Sequence, residues 1–167
     1  MRAILLVSAL ALALPACRTP DPQAEVELTN VETYWAVDSP VGETQRIAPV
    51  VRFQLRNKGQ EPLDSIQATA TFRREGETQA WSGAFLEVKP PAGKELKPGQ
   101  AAPVMLKPEG EGRYTSTVSP EQMLAHAQFK DVRVEVFIRL RASSWVKMAE
   151  TPVERRLGSH AVATAGP

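Results

Sequence analysis

From residue 26 onward the chain repeats one pattern, short runs in which apolar and polar positions alternate. Alternation with period two puts successive side chains on opposite faces of a strand, so each run predicts a half-buried β-strand. The first run is Val26 to Val37, with Val31, Thr33, Trp35 and Val37 on one parity. The second is Val50 to Asn57, where Val51, Phe53 and Leu55 alternate with Arg52, Gln54 and Arg56. In the third, from Leu63 to Arg73, Ile66, Ala68, Ala70 and Phe72 point inward. Weaker runs cover about Gln79 to Val88 and Ala101 to Lys107, the latter with Pro103 marking an edge strand. The strongest run sets Val132, Val134, Val136, Ile138 and Leu140 against Arg133, Glu135, Phe137, Arg139 and Arg141. Trp145 to Ala149 and Val153 to Leu157 complete the series.

Turn chemistry separates these runs. Asn57-Lys58-Gly59, Arg74-Glu75-Gly76-Glu77 and Pro90-Pro91-Ala92-Gly93 break the chain, and Glu109 to Gly112 is a loop. Pro98-Gly99 predicts a type II turn, because proline presets φ and glycine accepts a positive φ. One short helix is signalled, with Ser119 as N-cap, Pro120 in the first position, Gln122 closing a capping box, and Met123, Leu124 and Ala127 as its apolar face. The expected fold is an all-β, immunoglobulin-like β-sandwich of seven to eight strands with one short helix, over residues 25–157. Residues 18–24 (RTPDPQA) read as a semi-extended tether, and 158–167 as a frayed tail.

The N-terminus breaks the pattern. After Arg2, twelve residues from Ala3 to Leu14 are apolar apart from Ser8. As a helix they rise about 18 Å, short of the roughly 30 Å hydrocarbon core of a bilayer. They fit the hydrophobic region of a secretory signal peptide, residues 1–16. The next residues, Leu14-Pro15-Ala16-Cys17, resemble the lipobox of bacterial lipoproteins. The resemblance implies a diacylglycerol thioether on Cys17, cleavage before it and acylation of its amine. Residues 17–24 would then be the lipidated cysteine and its tether. Arg18 stands where an inner-membrane retention signal carries Asp, which implies an outer-membrane anchor facing the periplasm.

The stretch Val51–Phe72, with its Asn57-Lys58-Gly59 turn and aromatic-ended second strand, is followed by Leu96-Lys97-Pro98-Gly99-Gln100. Together they resemble the FxLYD-type immunoglobulin-like domains of envelope lipoproteins, with Arg73-Arg74 in place of the Tyr-Asp pair. The resemblance implies a sandwich used as a non-enzymatic envelope module.

Composition narrows the chemistry. Twenty Lys+Arg against 19 Asp+Glu give near-zero net charge, unlike the basic excess of a nucleic-acid binder. A single cysteine can form neither an internal disulfide nor a cysteine-based zinc site. His126 and His160 lack partners at metal-ligand spacing, and no nucleophile motif, P-loop or dinucleotide-binding motif occurs. No cofactor, metal or catalytic residue is therefore expected, and Asp38, Asp64 and Asp131 read as local caps beside turns. What remains is a surface. Arg52 and Arg56 on one strand, and Arg133, Phe137, Arg139 and Arg141 on another, form a candidate docking face for an acidic partner, an envelope protein first, or for lipopolysaccharide phosphate or phospholipid headgroups. The competing expectation is a solvated face with cross-strand Arg–Glu pairs around Glu135. Trp35 is expected in the core, and Trp81 and Trp145 at its rim. Were those two exposed, with the arginine rows, they would suit a glycan or lipid ligand instead.

Overall fold

The computed structural model describes residues 20–91 and 93–158. Cys17, the signal segment and His160 lie outside them. The elements in chain order are α1 (Pro22–Glu25), β1 (Val26–Val41), β2 (Thr44–Asn57), β3 (Ile66–Arg74), β4 (Ser82–Glu87), β5 (Ala101–Leu106), β6 (Tyr114–Ser116), α2 (Pro120–Ala125), β7 (Val132–Leu140) and β8 (Val146–Pro152). Two antiparallel sheets face each other. Sheet I has the order β1-β2-β5, with β6 also paired to β2; sheet II has the order β4-β3-β7-β8. This is the strand order of an immunoglobulin-like sandwich, and the all-β expectation holds.

The inward parity of each strand supplies the core. Val132, Val134, Val136, Ile138 and Leu140 of β7 are buried, as are Ile66, Ala68, Ala70 and Phe72 of β3. Facing them from sheet I are Val51, Phe53, Leu55, Val104 and Leu106. Full burial of each large apolar side chain contributes roughly 1.5–3 kcal/mol.

Strand β1 departs from simple alternation. Thr29 pairs with Gln54 and Glu32 with Arg52, so Asn30 and Val31 lie opposite Phe53 alone. Asn30 has φ 53°, the left-handed region that asparagine tolerates. The bulge exchanges inward and outward parity along the strand: Val26 is buried before it, Thr33 and Trp35 after it. Val31, expected inside, is 38% exposed for this reason.

Four elements differ from the sequence reading. Val153 to Leu157, expected as a strand, follows β8 as an irregular segment with a single bridge at Leu157. Pro22–Glu25 form a helical turn within the stretch expected to be extended, because Asp21 caps it by accepting from the Gln23 amide and Pro22 is buried. Strand β6 is only three residues long, too short to show a period. Gly158, assigned to the tail, donates its N–H to the Trp35 carbonyl, and Leu157 bridges to Trp35. The helix α2 forms with the expected capping box of Ser119 and Gln122.

The turn motifs meet at one end of the sandwich. Asn57 is fully buried; its side-chain amide donates to the Glu61 and Leu96 carbonyls, and its Oδ1 accepts from the Gly59 amide. A Cβ on Gly59 would sit 1.9 Å from the Glu25 carboxylate, so a side chain there would displace the end of Glu25. Gly99, at φ 78°, closes the type II turn, and its N–H donates to the Asn57 carbonyl. The N-terminal segment therefore enters at an end where α1, the β2–β3 connection and the Pro98-Gly99 turn are joined by hydrogen bonds through Asn57 and Glu25.

Candidate interaction surfaces

The candidate residues do not form one surface. Arg52 and Arg56 lie on β2, in sheet I; Arg133, Phe137 and Arg139 lie on β7, in sheet II. Both sets point outward, so they occupy opposite faces of the sandwich. Arg141 belongs to neither row. It lies beyond the end of β7 with φ 51°, donating to Asp64 at 2.9 Å.

On the outer face of sheet I, cross-strand register sets carboxylates beside arginines. Glu32 pairs with Arg52 in the ladder, and their side chains meet at 2.8 Å; Glu27 meets Arg56 at 3.4 Å. Arg156, from the segment after β8, also reaches Glu32, at 3.6 Å. Between these groups lies Tyr34, with the Arg52 and Arg156 guanidinium carbons 5.9 and 5.7 Å from its ring centre. The Tyr34 hydroxyl donates to the Met105 sulfur at 3.6 Å, and Met105, on the edge strand β5, is 57% exposed.

The outer face of sheet II has two halves. Toward the α2 end lies an ionic lattice. Glu135 accepts from Arg73 at 3.2 Å and Lys147 at 3.1 Å, while Glu150 accepts from Lys147 at 2.9 Å and meets Arg133 at 3.3 Å. The Lys147 ammonium, then burial in opposition, then Arg73, set the Glu135 carboxyl below its ordinary range. Toward the α1 end the lattice stops. Arg139 donates to the Gln67 side-chain carbonyl, at 2.9 Å from Nε, and its guanidinium carbon lies 4.7 Å from the Trp145 ring centre. Trp145 meets Phe85 edge to face at 6.3 Å, and these rings are 37% and 60% exposed. Four of the five candidate arginines bond a carboxylate; Arg139, among the described residues, stacks on an indole and bonds an amide instead.

Each aspartate holds a cation distant in sequence: Asp38 meets Lys107 and Arg113, Asp64 meets Arg141, and Asp131 meets Arg155. Asp64 also caps the chain locally, as expected, through the Asp64 and Ser65 backbone. Burial pushes Asp38 upward, but hydrogen bonds from Lys107 and Arg113 outweigh it and hold its carboxyl low. The hydrogen bonds from Arg141 and Arg155 lower Asp64 and Asp131. These carboxyls are fixed in the charged form, the opposite of the raised carboxyl a general acid needs.

Trp35 is fully buried and Trp81 packs beside it at 6.4 Å, as expected of core and rim. Tyr114 and Phe129 complete that aromatic cluster. Exposed His126 caps α2, its Nδ1 accepting from the Gln128 amide at 3.2 Å. No grouping of three potential metal-ligating side chains occurs among the described residues. Nor, among them, is any helix long and apolar enough to cross a membrane. Sequence reasoning missed Phe85, Met105 and Arg156 as surface residues, and Tyr34 buried beneath the last two. Cross-strand register sets Met105 opposite Arg52, and single-strand periodicity does not contain register.

No family model matches this sequence, and no curated protein does. Among solved structures, a β-glucuronidase of Bacteroides uniformis is similar over 72% of this chain at 14% identity, with a TM-score of 0.45. A β-glucuronidase from glycoside hydrolase family 2 matches 79% of the chain at 14% identity, with a TM-score of 0.47. The chain spans about 12% of the length of either enzyme. A protein of Arabidopsis thaliana, known from a solution structure, matches 88% of this chain and 89% of its own at 11% identity, with a TM-score of 0.44.

Proposed function

We propose that this chain is a cell-envelope lipoprotein, anchored in the outer membrane through Cys17 and facing the periplasm, whose sandwich is a non-enzymatic docking module for another envelope protein. The observation that carries the docking site is the cluster on sheet I, where two exposed guanidinium groups and exposed Met105 lie over the buried Tyr34 ring that holds them. Arginine and methionine are residue types enriched where proteins meet. Met105 stands on an edge strand, open to a partner's side chains.

The lipobox and the short segment before α1 support the anchor. Each buried methylene contributes about 0.8 kcal/mol, so two or more acyl chains on one cysteine hold the chain permanently. Anchoring raises the effective concentration of a weak docking surface at the membrane. The ion-paired carboxyls support the non-enzymatic part of the reading.

The test is in-cell photo-crosslinking from position 105 of the full-length chain. One defined envelope protein, lost on Arg52→Glu, is the expected product. The absence of any specific adduct at 105 overturns the docking site.

A further inference from the structure

We propose that the Phe85–Trp145–Arg139 patch of sheet II is a membrane-contact surface, which lays that face of the domain on phospholipid headgroups. The inference rests on the anchoring reading above and concerns a different face from the protein-docking site.

Three observations converge. First, the patch has the composition of a membrane interface: two exposed aromatic rings in contact and a guanidinium bonded to no carboxylate among the described residues. Tryptophan and arginine favour the headgroup level, where an indole meets both apolar and polar surroundings and a guanidinium can bond phosphate. Elsewhere on that face, Arg73, Arg133 and Lys147 are tied to carboxylates.

Second, the patch is at the end where the chain enters. The Thr33 hydroxyl donates to the Pro152 carbonyl at the end of β8, and Trp35 bridges Leu157 in parallel, so β1 and β8 point the same way and both start at the α1 end. The helical turn α1 lies near β7 and β8. Trp145 immediately precedes β8, and the Gln67–Arg139 row is one residue from the last pair of that end, Ile66–Leu140.

Third, the connection is short. Four residues, 18–21, separate Cys17 from Pro22. Five Cα steps span at most about 18 Å in any conformation. With Cys17 at the bilayer surface, this end of the sandwich cannot leave it by more than that. Tilting about the tether brings Phe85 and Trp145 onto the headgroups and turns sheet I, with Tyr34 and Met105, toward the periplasm.

The experiment uses the full-length protein as cells process it, purified from membranes and reconstituted into phosphatidylethanolamine–phosphatidylglycerol vesicles. A fraction of the lipid carries a spin label on its headgroup. Mass spectrometry of the same sample reads the state of Cys17. Trp35 and Trp81 pack in the core, so the emission removed by Trp145→Phe isolates Trp145. The expected result is acylated Cys17 and a Trp145 component quenched by the spin label. Phe85→Asp, a change at an exposed ring that leaves the core untouched, should weaken that quenching. An acylated, vesicle-bound protein whose Trp145 is not quenched overturns the inference and leaves the anchor standing. A Trp145 signal that responds instead to soluble peptidoglycan fragments overturns it in favour of a glycan. An unmodified Cys17 overturns the anchor, and the orientation with it.

Discussion

The two outer faces of this sandwich carry similar residues and use them differently. On sheet I, Arg52 and Arg156 share Glu32, and both guanidinium groups flank Tyr34. On sheet II, the α2 half is a closed ionic lattice around Glu135 and Glu150, while the α1 half leaves Arg139 on Trp145. An arginine at an outward position is thus not a site by itself. Its cross-strand neighbour decides whether its charge is spent within the protein. A carboxylate opposite makes a solvated face, and an amide or an indole leaves the cation able to bond an outside anion. The expectation of paired charges describes most of both faces, and the proposed contacts lie where pairing is incomplete or an aromatic intervenes.

The largest effect expected is from Cys17→Ala, which removes the proposed anchor. The variant should move from the membrane to the soluble fraction with its circular dichroism unchanged. Retention at the membrane would show that anchoring lies elsewhere. Next, the faces should separate by mutation. Arg52→Glu should abolish crosslinking from position 105 and leave Trp145 quenching in vesicles intact, whereas Phe85→Asp should do the reverse. One variant that weakens both would merge the two faces into one function.

Smaller effects report on the lattice. Glu135 holds two cations and is only 21% exposed, so Glu135→Gln should cost about 1 kcal/mol in urea unfolding. Glu32→Gln on the more exposed face should cost less. The smallest expected effect is a pH dependence. Lys147 and Arg73 hold Glu135 low, so the unfolded chain binds a proton at higher pH than the folded chain. That stabilisation is complete above the ordinary glutamate value of about 4.3 and is lost as pH falls through the lower folded value. Urea midpoints measured from pH 7 downward should therefore fall less steeply below about pH 4 in Glu135→Gln than in the parent chain.

The fold was legible where one strand contains its own signal. Five β-formers on one parity in β7, the Ser119–Gln122 capping box and the Pro98-Gly99 turn each depend on residues a few positions apart. Features that depend on distant pairing were not. The bulge at Asn30 inverts the parity of β1, and only its register against β2 reveals it. The α1 turn did leave a cue, since Asp21-Pro22 is an N-cap followed by proline in the first helical position, but four residues give no period. The surface was the least legible part. Period two says that Arg52 and Arg139 point outward, yet the two sheets have opposite outsides, and strand order alone assigns each strand to its sheet.

The central claim is that the opposite faces meet different occupants, protein at sheet I and membrane at sheet II. Parallel photo-crosslinking in cells from positions 105 and 85 of the full-length chain tests it most directly. The account predicts a defined protein adduct from position 105 and phospholipid adducts from position 85. The same protein captured from both positions would contradict it.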